Sequence, residues 1–228
     1  MATSIPFVSP LYPDPPVEYS DARLAVAILE GPAPVGVVPQ QAQPAAMPLR
    51  LALFADYPES TIGPYREMAV LVAVTWHGEP ALFCSLIYVT TDVALCQGRE
   101  VWGFPKKLAR IDLELGSSGD VRARLERAGE LLIDLEGSAP EDTDPAAVAD
   151  LAALPILNRK WIPGPAGKEP DVDALTLVAP HYSLQHVWMG TGNLRAAGEA
   201  AAVLGSTSAV ALARLDGDMT LPGGETVA

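Results

Sequence analysis

The sequence predicts a mainly β fold of the α+β kind: a predominantly antiparallel sheet, closed or doubled over on itself, with a few short helices. Three observations carry this reading. Apolar runs of strand length, rich in valine, isoleucine and leucine, recur along the whole chain. Several alternate apolar and polar residues at period two, as half-buried strands do. Nowhere do strands and helices alternate in the βαβ manner that implies a parallel sheet.

The elements follow in order. Residues 1–20 hold many prolines and are expected to run as an extended surface arm. RLAVAIL (23–29) reads as a strand, whereas GPAPVGVVPQQAQPAAMP (31–48) has too many prolines for regular structure beyond a short helical turn. LRLALFADY (49–57) reads as the next strand. MAVLVAVTWHG (68–78) and ALFCSLIYVTT (81–91) form a hairpin around a Gly78-Glu79-Pro80 turn. DVALCQGRE (92–100) reads as a short helix or turn, with Asp92 behind Thr90 and Thr91 in the N-cap region.

ARIDLELG (109–116), DVRARLERA (120–128) and GELLIDLEG (130–137) form a meander with tight turns near 117–119 and at Ala128-Gly129. PAAVADLAAL (145–154) is an alanine-rich helix opened by Asp144 and Pro145. LTLVAPHYSLQHVWMGTGNLR (175–195) reads as further strand, and residues 208–222 as one more. No repeat and no linker divides the chain, so residues 1–228 are read as one domain.

Composition narrows the function. Hydrophobic residues make up 49% and charged residues 19%, a globular balance long enough in 228 residues to bury a sizeable core. The formal net charge of −13 argues against nucleic-acid binding and against docking on anionic membranes. A small-molecule or protein partner is the better expectation. Cys84 and Cys96 match no metal motif, and read as small buried hydrophobes in a reducing compartment. The N-terminal MATSIPFVSPLYPDPP lacks the basic and apolar regions of a signal peptide, and no apolar run is long enough to span a membrane. The expected location is therefore the cytoplasm. His77, His181 and His186 sit in strand-like segments and read as structural.

One stretch departs from this background: GREVWGFPKKLA (98–109) places two lysines side by side in a lysine-poor chain. A lysine amine attacks carbonyl carbon only when neutral, and its ordinary pKa of about 10.4 keeps it protonated at pH 7. Desolvation or a neighbouring cation lowers that value. Phe104, Pro105 and Leu108 offer an apolar wall, and each lysine neighbours the other. A neutral lysine can form a Schiff base, which then acts as an electron sink. The simpler alternative is a solvated charge pair guarding a sheet edge. Adjacent strand residues face opposite sides, so only one lysine can enter a pocket. Extending the apolar parity of Ala109, Ile111, Leu113 and Leu115 backwards puts Lys107 inward and Lys106 outward, unless the Phe104-Pro105 turn resets it.

GREVWGFPKKLA resembles the signature of the acetoacetate decarboxylase superfamily, in which Gly-Arg-Glu precedes an aromatic-Pro-Lys-Lys. PYREMAVLVAVTWHGEPALFCSLIYVTTDVALCQGRE (64–100), LPILNRKWIPG (154–164), VWMGTGNLR (187–195) and DGDMTLPGGETV (216–227) resemble further family segments in the family's order. The resemblance implies a closed, largely antiparallel β-barrel or cone around an apolar cavity, and a homo-oligomer. It maps the Schiff-base lysine to Lys106 and the lysine proposed to perturb it to Lys107. It also maps an acid–base glutamate to Glu67 and a cavity-wall aromatic to Phe104; Trp102 and Tyr88 are further candidates for that wall. Glu100 reads as structural. No metal or organic cofactor is implied, because the lysine itself supplies the electron sink.

The sequence also departs from that family. The decarboxylases use a second glutamate, whose place falls by counting at Ala52, and an N-terminal arginine, whose place falls near Asp21 with Arg23 two residues away. Decarboxylation needs the substrate carboxylate held and then expelled, whereas aldol addition and dehydration run through the same imine without it. The expected function is a lysine Schiff-base lyase acting on a small keto acid or ketone, favouring aldol condensation and dehydration. The alternatives are a β-keto acid (acetoacetate-type) decarboxylase and a non-catalytic protein that keeps the cavity for binding.

Overall fold

In the computed structural model, which describes residues 11–228, the apolar runs become strands of one large sheet. The first half contains β1 (Val17–Glu30), the two-residue β2 (Gln43–Pro44), β3 (Leu49–Tyr57), β4 (Glu59–Ser60), β5 (Tyr65–Trp76) and β6 (Glu79–Val89). Helix α1 (Asp92–Gln97) then runs straight into a π-helical turn, Gly98–Trp102, and the short β7 (Lys106–Leu108) follows. The meander is β8 (Arg110–Leu115), β9 (Asp120–Arg127) and β10 (Glu130–Thr143). After α2 (Ala146–Ala152) come β11 (Ile156–Pro163), β12 (Pro170–Val178), β13 (His181–Ala196), α3 (Gly198–Leu204), β14 (Thr207–Leu221) and β15 (Glu225–Thr226).

The sheet runs in the order β15-β12-β11-β6-β5-β3-β1-β14-β13-β10-β9-β8, with β2, β4 and β7 pairing off this path onto β5, β1 and β6. All pairs are antiparallel except β6 with β11 and β6 with β7. The sequence leads to the expectation of a closed barrel or cone. Among the described residues no ladder joins β15 to β8, so the sheet is mixed and open. It doubles over through side chains instead. Ile111 and Leu113 of β8 share a core with Ala52 and Phe54 of β3 and with Met68 and Val70 of β5. Side-chain burial, rather than backbone pairing, brings that end of the sheet back onto its middle.

The central strands are buried on both faces and so read as continuous apolar runs. Along β1, Val17, Tyr19, Ala22, Leu24 and Val26 face one core, while Ala25, Ala27 and Leu29 face the other. A smaller third core gathers around Trp76, Phe83 and Leu157. The first core contains the candidate site.

Several local expectations change. Residues 1–10 of the expected arm lie outside the described residues, and Val17 already pairs with Leu221 in β1. The β5–β6 hairpin turns at His77-Gly78, both with positive φ, rather than at 78–80; Trp76 pairs directly with Glu79. The single run read over 175–195 is two strands, broken before Pro180, which lacks the N–H a continuing ladder needs. β11 and α3 were not expected as regular elements: β11 carries Arg159 and Lys160 in a partly exposed strand, and alanine and glycine around α3 give no apolar periodicity. No helix is long and apolar enough to cross a membrane among the described residues.

Gly190 marks the closest approach of β13 to β10. There β10 shifts register between Ser138 and Glu141, and a Cβ on Gly190 would collide with the Ser138 carbonyl oxygen and the Ala139 Cα. Gly190→Ala is therefore expected to destabilise the fold by about 2–3 kcal/mol in urea unfolding. Gly223→Ala, where a Cβ meets nothing within 4 Å, should change stability by no more than about 0.5 kcal/mol. Equal effects at both positions would refute the close approach.

Candidate active site

Two motifs far apart in sequence meet across β6. On one side Glu67 lies in β5 opposite Val89; on the other Lys106 lies in β7 opposite Ile87. The Lys106 ammonium stands 2.7 Å from a Glu67 carboxylate oxygen, with 5% and 12% of the two side chains exposed. The Phe104 and Tyr65 ring centres lie 5.5 and 5.7 Å from the same nitrogen.

The approach to β7 is built locally. The π-helical turn ends at Gly103, in the left-handed region at φ 74°, and the Phe104 N–H donates to the Gly98 carbonyl at 3.0 Å. A Cβ on Gly98 would collide with Cδ and Cε of Lys106. The glycine of GREVWGFPKK thus leaves the slot through which the lysine stem reaches the cavity.

The backward parity carries through as a matter of faces, since Lys107 lies on the side of Ala109, Ile111 and Leu113, against the second core. The cavity, however, lies on the other face, so the expectation that Lys107 enters the pocket and Lys106 points away is reversed. Lys106 is buried toward the first core. Lys107 faces the second, where its ammonium pairs with Glu199 of α3 and the Tyr88 hydroxyl donates to the other Glu199 oxygen. Burial alone would raise the Glu199 pKa, but the hydrogen bonds from Lys107 and Tyr88 hold it below the ordinary value.

A narrow cavity surrounds Lys106. Leu53, Leu71, Ile87, Met219 and Leu221 form much of its wall, and Cys84 contributes a buried thiol. Three phenols, those of Tyr19, Tyr57 and Tyr182, line it. The Tyr65 hydroxyl lies 3.0 Å from that of Tyr19, whose ring packs 4.5 Å from Tyr57. Burial, and then the negative charge of Glu67, push all four phenols upward. Burial likewise raises the Cys84 thiol, with Glu67 adding and Lys106 opposing. The site therefore presents one amine, one carboxylate and neutral phenols in an apolar chamber.

The structure brings Lys106, Glu67 and Phe104 together and leaves the other sequence candidates apart. Trp102 packs behind Phe104, with its indole N–H donating to the Pro222 carbonyl at 2.8 Å. Tyr88 and Lys107 lie on the opposite face. Ala52 is buried in the second core, and Leu53 is the β3 residue that meets the cavity. Arg23 is exposed and pairs with Asp56, which also receives Arg66. Glu100 accepts a hydrogen bond from Tyr12, and Cys96 is partly exposed rather than buried. His77 sits in the hairpin turn, His181 is exposed and His186 stacks on Trp188. No group of three metal-ligating side chains occurs among the described residues. Sequence reasoning missed the tyrosines. Tyr65 was open to discovery, two residues before Glu67 on the same strand face, whereas Tyr19 and Tyr182 carried no local signal.

Comparison with known proteins places this geometry in context. Residues 35–228 match the family model for acetoacetate decarboxylase. Acetoacetate decarboxylase 1 of Bradyrhizobium diazoefficiens is 30% identical over 118 residues; there the match spans about half of each protein, 51% of this chain and 47% of that one. Acetoacetate decarboxylase of Ralstonia nicotianae is 26% identical over 99% of this chain and 94% of its own. Among solved structures, acetoacetate decarboxylase from Legionella pneumophila superposes with a TM-score of 0.87 at 24% identity, covering 98% of this chain and 93% of that one. The enduracididine biosynthesis enzyme MppR, complexed with pyruvate, superposes with a TM-score of 0.81 at 18% identity, covering 100% and 98%. It is also known with the condensation product of pyruvate and imidazole 4-carboxaldehyde.

All six tyrosines have phenols raised above the ordinary value of 10.0. The unfolded chain loses these protons first, so their contribution to stability is complete below about pH 10 and is lost as the pH rises beyond it. Alkaline titration should show phenolate absorbance appearing together with loss of the β circular-dichroism signal. A smooth titration near pH 10 in a chain that stays folded would contradict the burial described.

Proposed function

The chain belongs to the acetoacetate decarboxylase family, and from that premise we propose that it is a lysine Schiff-base lyase acting on a keto acid or ketone, favouring aldol condensation and dehydration. One observation carries the reading: an amine, Lys106, buried beside a carboxylate, Glu67, in a cavity lined, among the described residues, by neither a second carboxylate nor a guanidinium.

The groups in contact suffice for each step. Glu67 takes a proton from Lys106 and leaves the neutral amine, which adds to the carbonyl carbon. The carbinolamine oxygen departs as water with the proton from Glu67, leaving a protonated imine. Glu67, again a carboxylate, removes a proton from the adjacent carbon to give the enamine. The enamine carbon adds to an aldehyde, and Glu67 returns its proton to the new alkoxide. Glu67 then removes a second proton from the same carbon, and the hydroxyl leaves as water with that proton. Hydrolysis of the imine releases an unsaturated ketone and restores Lys106.

The condensation product held by MppR is chemistry of this kind, in a fold neighbour. The names of the relatives, acetoacetate decarboxylases at 26–30% identity, favour decarboxylation as the second reading. In that case the imine accepts the electron pair of the bond to the departing carbon dioxide.

Reduction with borohydride in the presence of pyruvate or acetone should fix a mass adduct on Lys106. Lys106→Ala should abolish it and reduce turnover on the order of 10³-fold or more, while Glu67→Gln should reduce turnover about 10²–10⁴-fold. Gly98→Ala should lower labelling at least tenfold in folded protein, because it displaces the lysine stem. No adduct on Lys106 would defeat both enzyme readings and favour a binding protein. Carbon dioxide release from acetoacetate, without condensation of a keto acid with an aldehyde, would select decarboxylation.

A further inference from the structure

The cavity around Lys106 does not end at the reacting pair. Leu53, Leu71, Ile156, Pro180 and Tyr182 belong both to its wall and to that of an adjoining groove. The groove continues between the inner face of the sheet and α2. Leu24, Val26 and Leu51 lie on the sheet side. Val148, Leu151 and Ala152 project from α2 at the i, i+3, i+4 spacing of one helix face. Among the described residues, Tyr182 is the one lining residue with a polar side-chain atom.

We propose that this groove is a tail site: the keto compound bound at Lys106 carries an apolar alkyl or aryl substituent that runs from the carbonyl carbon under α2. The inference rests on the Schiff-base reading of Lys106. Two arguments support it. A void lined by leucine and valine forfeits packing contacts unless something fills it. Water is a poor occupant, because an ordered water needs two to four polar partners and this wall supplies one hydroxyl.

The charge balance agrees. Among the described residues Lys106 is the one cation lining the cavity, and it is already paired with Glu67, so a substrate carboxylate finds no separate anchor among them. Affinity must then come from apolar surface, and each methylene moved out of water strengthens binding about three- to fourfold.

The test is a series of methyl ketones from acetone to octanone, each reduced onto the protein with cyanoborohydride and read by mass at Lys106. The half-saturating concentration should fall about three- to fourfold per methylene until the groove is filled. Ala152→Trp and Val148→Trp, which block the groove from α2, should each reduce the octanone-to-acetone labelling ratio at least tenfold. Because the ratio is taken within one variant, loss of folded protein cancels. A flat series, or an unchanged ratio in both variants, with acetone labelling retained, would overturn the tail site and leave the Schiff-base reading standing. Absence of labelling by every ketone, acetone included, would overturn both.

Discussion

The buried pairing of Lys106 with Glu67 is the constraint around which the rest is arranged. Taking two charges out of water costs several kcal/mol per ion, repaid only by close geometry. Neither partner could be buried here alone. β6 sets the geometry: β5 and β7 flank it, and the two ladders hold Glu67 and Lys106 on one face with Ile87 between them. Neighbouring strands lie about 4.8 Å apart, so a carboxylate and an amine two strands apart meet only if a long side chain crosses the intervening one. Lysine is long enough, and Gly98 vacates the space its stem needs.

The same geometry separates the two lysines. Being adjacent in a strand, they are sent to opposite faces, and each finds a carboxylate there: Glu67 for Lys106 and Glu199 for Lys107. Lys107 fastens α3 to β7 from behind the cavity and does not bring a second cation into it. Desolvation and the Glu67 carboxylate are the surroundings Lys106 meets.

Much of this was legible in the sequence. The alternation of ARIDLELG and its neighbours marked the meander, and the β-branched runs on either side of His77-Gly78 marked the hairpin, because those strands have clear faces. The motif around Lys106 and the glutamate at 67 pointed, through resemblance, to two residues that the structure pairs in the cavity. Parity placed Lys107 with Ile111 and Leu113, but alternation separates two faces and does not say which of two buried faces encloses the cavity. Counting back to Ala52 failed for a related reason: a position one residue off in a strand faces the other core, and Leu53 meets the cavity. Closure failed because a ladder depends on which edges meet, and hydrophobic pattern specifies faces. Tyr19 and Tyr182 lay beyond reach because strand pairing across the whole chain brings them to Glu67.

That long-range pairing has a consequence for how the protein comes into being. β1 lies against β14, so residues 17–28 find their partners at 211–221, and the cavity wall draws on both through Tyr19, Met219 and Leu221. Contacts so distant in sequence are slow to form, since loop closure must precede them. A chain emerging from the ribosome would carry the GFPKK segment long before β14 exists to enclose it. During that interval the walls that desolvate Lys106 and Glu67 are missing. The buried pair forms only with completion of the fold, so the order of synthesis itself delays it until there is a chamber to contain it.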